Sequence, residues 1–204
     1  MNNNKTSPMR RRLLGAAGAG LALSLLPPLA ARAAPRIEMP ALPDRVDLGV
    51  AFGRLGPALL EAGAIDPERF IATYRQSGQP LNSAQLEILL KGSERTITFD
   101  QRNAYFLLNF LWALGLINAS PILTEGQMMQ GGLAQIGRFA STGGWTLGQR
   151  SPVALYASTP LIELTPAQHA RVREVATGVY RPCCGNPTSF PDCNHGMAML
   201  GLLQ

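Results

Sequence analysis

Between Tyr105 and Ile117 the chain reads YFLLNFLWALGLI, and only Asn109 and Gly115 interrupt its apolar character. A helix that is apolar on every side has to lie in the middle of a packed protein or in a bilayer. This run is too short for a bilayer, which takes about 20 apolar residues. The rest of the chain must therefore cover it. Asp100 is placed to cap the helix, and Ser120-Pro121 end it. The pattern predicts a central core helix over about 101–118, with Phe106, Phe110, Leu114 and Ile117 among its contacts.

The segments around this run carry helix punctuation. Asp66-Pro67 opens a helix that Gly78 closes, and a second starts at Asn82 or Ser83 and runs to Lys91-Gly92. Thr165-Pro166-Ala167-Gln168 combines a capping box with proline at the first helical position, and Gly178 is the natural stop. Pro57–Ala62 reads as a short helix. Thr96–Phe99 reads as a short strand or an extended linker, and Val153–Tyr156 as a strand. Gly126–Gly148 holds seven glycines. It predicts a short helix around Met128–Phe139 followed by a flexible connector, and it lacks the Gly-Lys-Ser/Thr of a phosphate loop. With 204 residues, 46% hydrophobic and 15% charged, the chain has a globular balance and the size of one ordinary domain. The fold class is mainly α: a single orthogonal helical bundle around the buried central helix, with short strand-like segments. A cysteine-rich loop then leads into a C-terminal helix.

The amino terminus stands apart. Lys5 and Arg10-Arg11-Arg12 precede the apolar stretch Leu13–Leu26, Pro27-Pro28 break it, and Ala31-Arg32-Ala33 has the small-x-small form of a cleavage site. Arg10–Gly15, RRRLLG, resembles the twin-arginine export signal. That resemblance covers about one sixth of the chain and implies a bacterial protein exported to the periplasm or beyond. Residues 1–33 are read as a cleavable signal, 34–47 as an extended leader and 48–204 as the helical domain. Residues 1–33 hold five of the 18 basic residues and none of the 13 acidic ones, so the remainder is formally neutral. Neither nucleic acid nor an acidic membrane surface is implied as a partner. No stable membrane span is expected once the signal is removed.

The chemistry is concentrated in RPCCGNPTSFPDCNHGMAML, Arg181–Leu200. It holds all three cysteines, one of the two histidines and two of the seven methionines. Gly185–Pro191 is a turn-rich loop that brings Cys183 or Cys184 back towards Cys193. Asp192 or Asn194 then caps a final helix over about His195–Gln204. Cys193 and His195 fall at its positive end, which favours thiolates. If all four residues are helical, Cys193/Met197 and His195/Met199 lie about 200° apart around the axis, so one ion cannot take both pairs. Thiolates, an imidazole and a thioether suit a soft ion, copper first and zinc second. Cys184, Cys193 and His195 are the leading ligands, with Cys183 and Met197 secondary. Met128-Met129 offer further thioethers, though packing is the more ordinary use of such residues.

Two other readings stand beside the metal site. A Cys183–Cys193 or Cys184–Cys193 disulfide would staple a loop of about ten residues in an oxidising compartment. A strained vicinal disulfide, or a nucleophilic Cys193 beside His195, would instead make thiol chemistry. No Ser/His/Asp set can be assembled from two histidines, and the Cys-x-x-Cys-His haem motif is absent. His169 is read as a packed or rim histidine, and Trp145 as cover for the core. Leu202-Leu203-Gln204 break off an apolar helical pattern, which predicts that the chain is a piece of a longer protein.

Overall fold

Ten residues of the central run are buried, and they belong to one helix. The computed structural model describes residues 41 and 43–204. The expected signal, and all of the leader up to residue 40, lie outside the described residues. From residue 43 onward the chain is mainly helical with one small sheet. Strand β1 (Arg45–Gly53) pairs antiparallel with β2 (Ser93–Asp100). Arg45 stands opposite Asp100 and Val46 opposite Phe99, and the register slips between Asp47 and Ala51. Arg45–Asp47, expected in the leader, are therefore strand. So is the apolar, glycine-bearing stretch that follows them. Thr96–Phe99 is strand rather than linker.

Three helices separate the strands: α1 (Leu55–Glu61), α2 (Pro67–Gln76) and α3 (Ser83–Leu90). The Asp66 carboxylate accepts from Arg69 N at 3.0 Å to start α2, and Asn82 and Gln85 form a reciprocal capping box on α3. These local signals act as the sequence predicts. Helix α4 (Ala104–Ile117) is shorter than expected. Asp100 turns the chain instead of capping, accepting from Arg102 N and Asn103 N. Asn103 exchanges hydrogen bonds with the end of β2, through Asp100 N and Thr98 O. Phe52 meets Phe110 edge-on at 5.7 Å, and Phe106 joins Phe70 to Phe110. This aromatic row ties the hairpin and α2 to α4.

Helix α5 (Pro121–Thr124) precedes the glycine-rich segment, which is folded, but not as one helix: it contains a 3₁₀ turn (Gln127–Met129), α6 (Leu133–Ile136) and α7 (Ala140–Gly143). Gly132 at φ +71° breaks the expected 128–139 helix. Trp145 is fully buried and donates from its indole to Ala64 O at 2.8 Å. The following stretch is α8 (Pro152–Leu155), capped by Ser151, where a strand was expected. Ser-Pro is a helix start, and it overrides the β-propensity of Val153–Tyr156. Helix α9 (Pro166–Gly178) carries the Thr165/Gln168 capping box.

Helix α10 (Asn194–Leu203) closes the fold against α4. The crossing is close because glycines face backbone there. A Cβ on Gly115 would run into the Met197 carbonyl, and one on Gly201 into that of Leu111. Among the described residues no helix is long and apolar enough to cross a membrane.

Candidate metal centre

The loop between α9 and α10 is pinned at both ends before any donor is considered. Tyr180 and Pro187 form an antiparallel bridge, Thr188 N donates to Val179 O, and Ser189 N donates to Ala176 O. Within this ring, Pro182-Cys183-Cys184 make a turn, closed by Gly185 N donating to Arg181 O at 2.8 Å. Packing holds the far side. Ser141 N at the start of α7 donates to Asp192 O, and Phe139 meets Phe190 edge-on at 5.7 Å.

Arg181 organises the interior of the loop. Its side chain is only 4% exposed. The guanidinium donates to Asn186 O at 3.2 Å, Phe190 O at 2.7 Å, Asp192 Oδ1 at 2.7 Å and Cys193 Sγ at 2.8 Å. The other Asp192 oxygen accepts from Asn186 Nδ2 at 2.9 Å. Burial works against the arginine's charge, but the Asp192 hydrogen bond and the neighbouring sulfurs outweigh it. The pKa of Arg181 therefore lies above its ordinary value. Gly196 makes the space: a Cβ there would fall on the Arg181 guanidinium and 3.0 Å from Pro191 Cα.

Around this frame the sulfurs converge. Cys183 Sγ, Cys193 Sγ and a ring nitrogen of His195 lie within 4.8 Å of one another. Cys184 Sγ, an Asp192 oxygen and Cys193 Sγ form a second such group. Cys193 belongs to both. The carboxylate of the second group is already held by Arg181 and Asn186, which leaves the first as the better donor set. Cys183 donates to Cys184 Sγ at 3.8 Å, and that bond, with the nearby sulfurs adding to it, raises the pKa of the Cys183 thiol. All three thiols are free. Cys183, Cys184 and His195 are exposed and Cys193 is half-buried.

The expected donors thus divide. It is Cys183, not Cys184, whose sulfur joins Cys193 and His195. Cys193 stands just before α10, and its side chain makes no cap bond there. Neither Asp192 nor Asn194 is the capping residue: Asp192 is engaged with Arg181, and Asn194 is already helical. Met197 is fully buried in the core, as is Met128. Met199 and His195 share the wall of an apolar groove of about 360 Å³, together with Phe99, Tyr105, Leu108 and Leu202. His169 is half-buried on α9, away from the cluster's donor groups. Sequence reasoning missed Arg181, Asn186 and Gly196. The available signal was charge: an arginine two residues before Cys183 and an aspartate directly before Cys193 mark the two ends of one loop.

Comparison of the chain with known protein families, curated proteins and solved structures gives no match.

Proposed function

We propose that the chain binds one soft metal ion through Cys183, Cys193 and His195, with copper(I) the first candidate. The observation that carries this reading is the approach of those three donors to within 4.8 Å on a loop whose shape is fixed by a buried arginine. Thiolate and imidazole are soft enough for copper(I), a closed-shell ion that accepts three donors. Donors about 2.3 Å from a tetrahedral ion stand about 3.8 Å from one another, so the cluster needs only modest closure. Met197 is assigned to packing rather than to the ion, given its full burial.

One observation favours zinc as a second reading. Cys183 Sγ and Cys184 Sγ stand 3.8 Å apart, the edge of such a tetrahedron, and Cys184 would complete a Cys₃His set. The resemblance to a twin-arginine signal supports export, and folded export suits a protein that takes up its ion before crossing. We read the architecture as a bundle around α4, since hairpin, α1, α7 and α10 all contact it.

The test is direct. The reduced chain is mixed with copper(I) without oxygen and desalted, and its metal is counted by atomic absorption. One ion per chain is expected. Cys193→Ser should abolish retention and Met197→Leu, a volume-conserving change, should keep it. A chain that retains neither copper nor zinc, with three thiols that alkylate equally fast with and without copper(I), overturns the proposal. Retention that requires Cys184 selects the four-donor reading.

A further inference from the structure

Cys193 is the only sulfur that belongs to both donor groups, and its two partners differ. Cys183 comes with His195, whereas Cys184 comes with an aspartate already committed to Arg181 and Asn186. In the three-donor reading Cys184 is spare. It is also exposed, on the rim of a turn, and it accepts the hydrogen bond from Cys183 instead of giving one. We propose that Cys184 and Cys193 are a dithiol that reacts with small-molecule disulfides, with Cys184 the attacking sulfur and Cys193 the resolving one.

The steps balance. Cys184 sulfur attacks one sulfur of a disulfide RSSR, forms a Cys184–S–S–R bond and releases RS⁻. Cys193 sulfur then attacks Cys184 sulfur and displaces the second RS⁻. The protein loses two thiol hydrogens as protons, which the two released thiolates take up. The dithiol is oxidised by two electrons and RSSR is reduced to two RSH. Exchange of this kind proceeds through a mixed disulfide and depends on access to the sulfur attacked first.

Geometry excludes the adjacent pair, and the spare place of the exposed Cys184 in the three-donor reading selects it over Cys183. Cys183 and Cys184 are adjacent, and their Cα atoms are about 3.8 Å apart across a trans peptide, short of the usual disulfide range. Cys184 and Cys193 are separated by eight residues, which the Tyr180–Pro187 bridge and Arg181 have already folded back. Their sulfurs lie within 4.8 Å of one another, against about 2.05 Å in a disulfide, so the loop already holds the pair near bonding range. The half-buried Cys193, held by Arg181 at 2.8 Å, is the less accessible of the two. That suits the second step better than the first. Where an ion is bound, the bond removes Cys193 from its ligands, and this consequence rests on the metal reading. The exchange itself does not.

The experiment uses the full chain and oxidised glutathione without oxygen. Metal-free chain should lose two hydrogens in intact mass and keep one alkylatable thiol, with a Cys184–Cys193 link in the peptide map. Cys193→Ser should stop at a stable glutathione adduct on Cys184. Cys184→Ser should react at least tenfold more slowly, with a far-UV spectrum unchanged from the parent. Three thiols that persist, or a link made through Cys183, overturn the inference. In parallel, copper(I)-loaded chain should release its ion on treatment while loaded Cys184→Ser keeps it. A chain that binds copper but forms no bond defeats this inference and leaves the metal reading standing. A chain that forms the bond but never holds an ion supports the inference and defeats the metal reading.

Discussion

Gly196→Ala measures how firmly Arg181 is held. Gly196 lies in the first turn of α10, where alanine should stabilise the helix by up to about 1 kcal/mol. The added Cβ, however, would stand 2.8 Å from Arg181 Cζ and 3.0 Å from Pro191 Cα. Real Cβ atoms do not approach so closely, so the guanidinium has to move. It cannot move without loosening the bonds to Asp192, Phe190 and Cys193. Leaving a buried ion pair uncompensated costs about 3–5 kcal/mol. The net expectation is a loss of about 2–4 kcal/mol, or a melting temperature lower by about 5–12 °C for a domain of this size. Gly178→Ala is the control. That glycine ends α9, and nothing lies within 4 Å of an added Cβ. Both variants are melted by circular dichroism. Gly178→Ala should be neutral or slightly stabilising, and Gly196→Ala clearly destabilising. If both melt alike, Arg181 is not confined by Gly196, and the frame assigned to the donors is wrong.

Other expectations test the rest of the fold. Gly115→Ala and Gly201→Ala should each cost about 3 kcal/mol, read as a lower urea midpoint, because the opposing atoms are backbone and α4 and α10 must separate. Trp145→Phe should cost about 2–4 kcal/mol in the same assay, since it opens a cavity and leaves Ala64 O without its donor. Alkaline pH should destabilise the fold through Tyr74 and Tyr156. Burial raises both their pKa values, and the Asn109 hydrogen bond opposes this at Tyr74 only in part. Unfolded tyrosines ionise near pH 10 and the folded ones do not. The contribution is therefore fully present below about pH 10 and falls above it, by up to about 1.4 kcal/mol per pH unit for each tyrosine. Changing both to Phe should lower overall stability yet flatten that slope in urea titrations at stepped pH.

The parts of the fold legible in the sequence are those decided within four residues. Asp66-Pro67, Asn82 with Gln85, and Thr165 with Gln168 each satisfy a helix start from their own side chains, so no distant partner was needed to find them. Strand β1 is the opposite case. Its residues are mostly exposed and its partner lies some 40 positions on, so its own pattern carries neither the burial nor the pairing that makes it a strand. The α8 turn was lost for a local reason, because Val153–Tyr156 favours a strand unless Ser151-Pro152 is read first. In the candidate site, residue type alone singled out Cys183, Cys193 and His195 but not Asp192, and a turn decides which sulfur meets His195. One step along Pro182-Cys183-Cys184 exchanges the histidine's neighbour, and spacing to Cys193 cannot resolve a single step.

Arg181 shows why the remainder was hidden. Its place two residues before Cys183, with Asp192 before Cys193, marks the ends of one loop, but says nothing of its burial. A guanidinium becomes a core element only where several acceptors and a gap converge, and these come from Asn186, Phe190, Asp192, Cys193 and Gly196. Each of these residues has a bland reading when taken alone: a turn, a loop carbonyl, a cap, a thiol, a weak spot in a helix. Taken together they account for the closed shape of the loop through hydrogen bonds and packing of the chain's own groups. The three sulfurs are therefore brought together by the fold itself. The proposed metal binding and disulfide exchange would both start from that arrangement, and a change at Gly196 should weaken both without touching a donor atom.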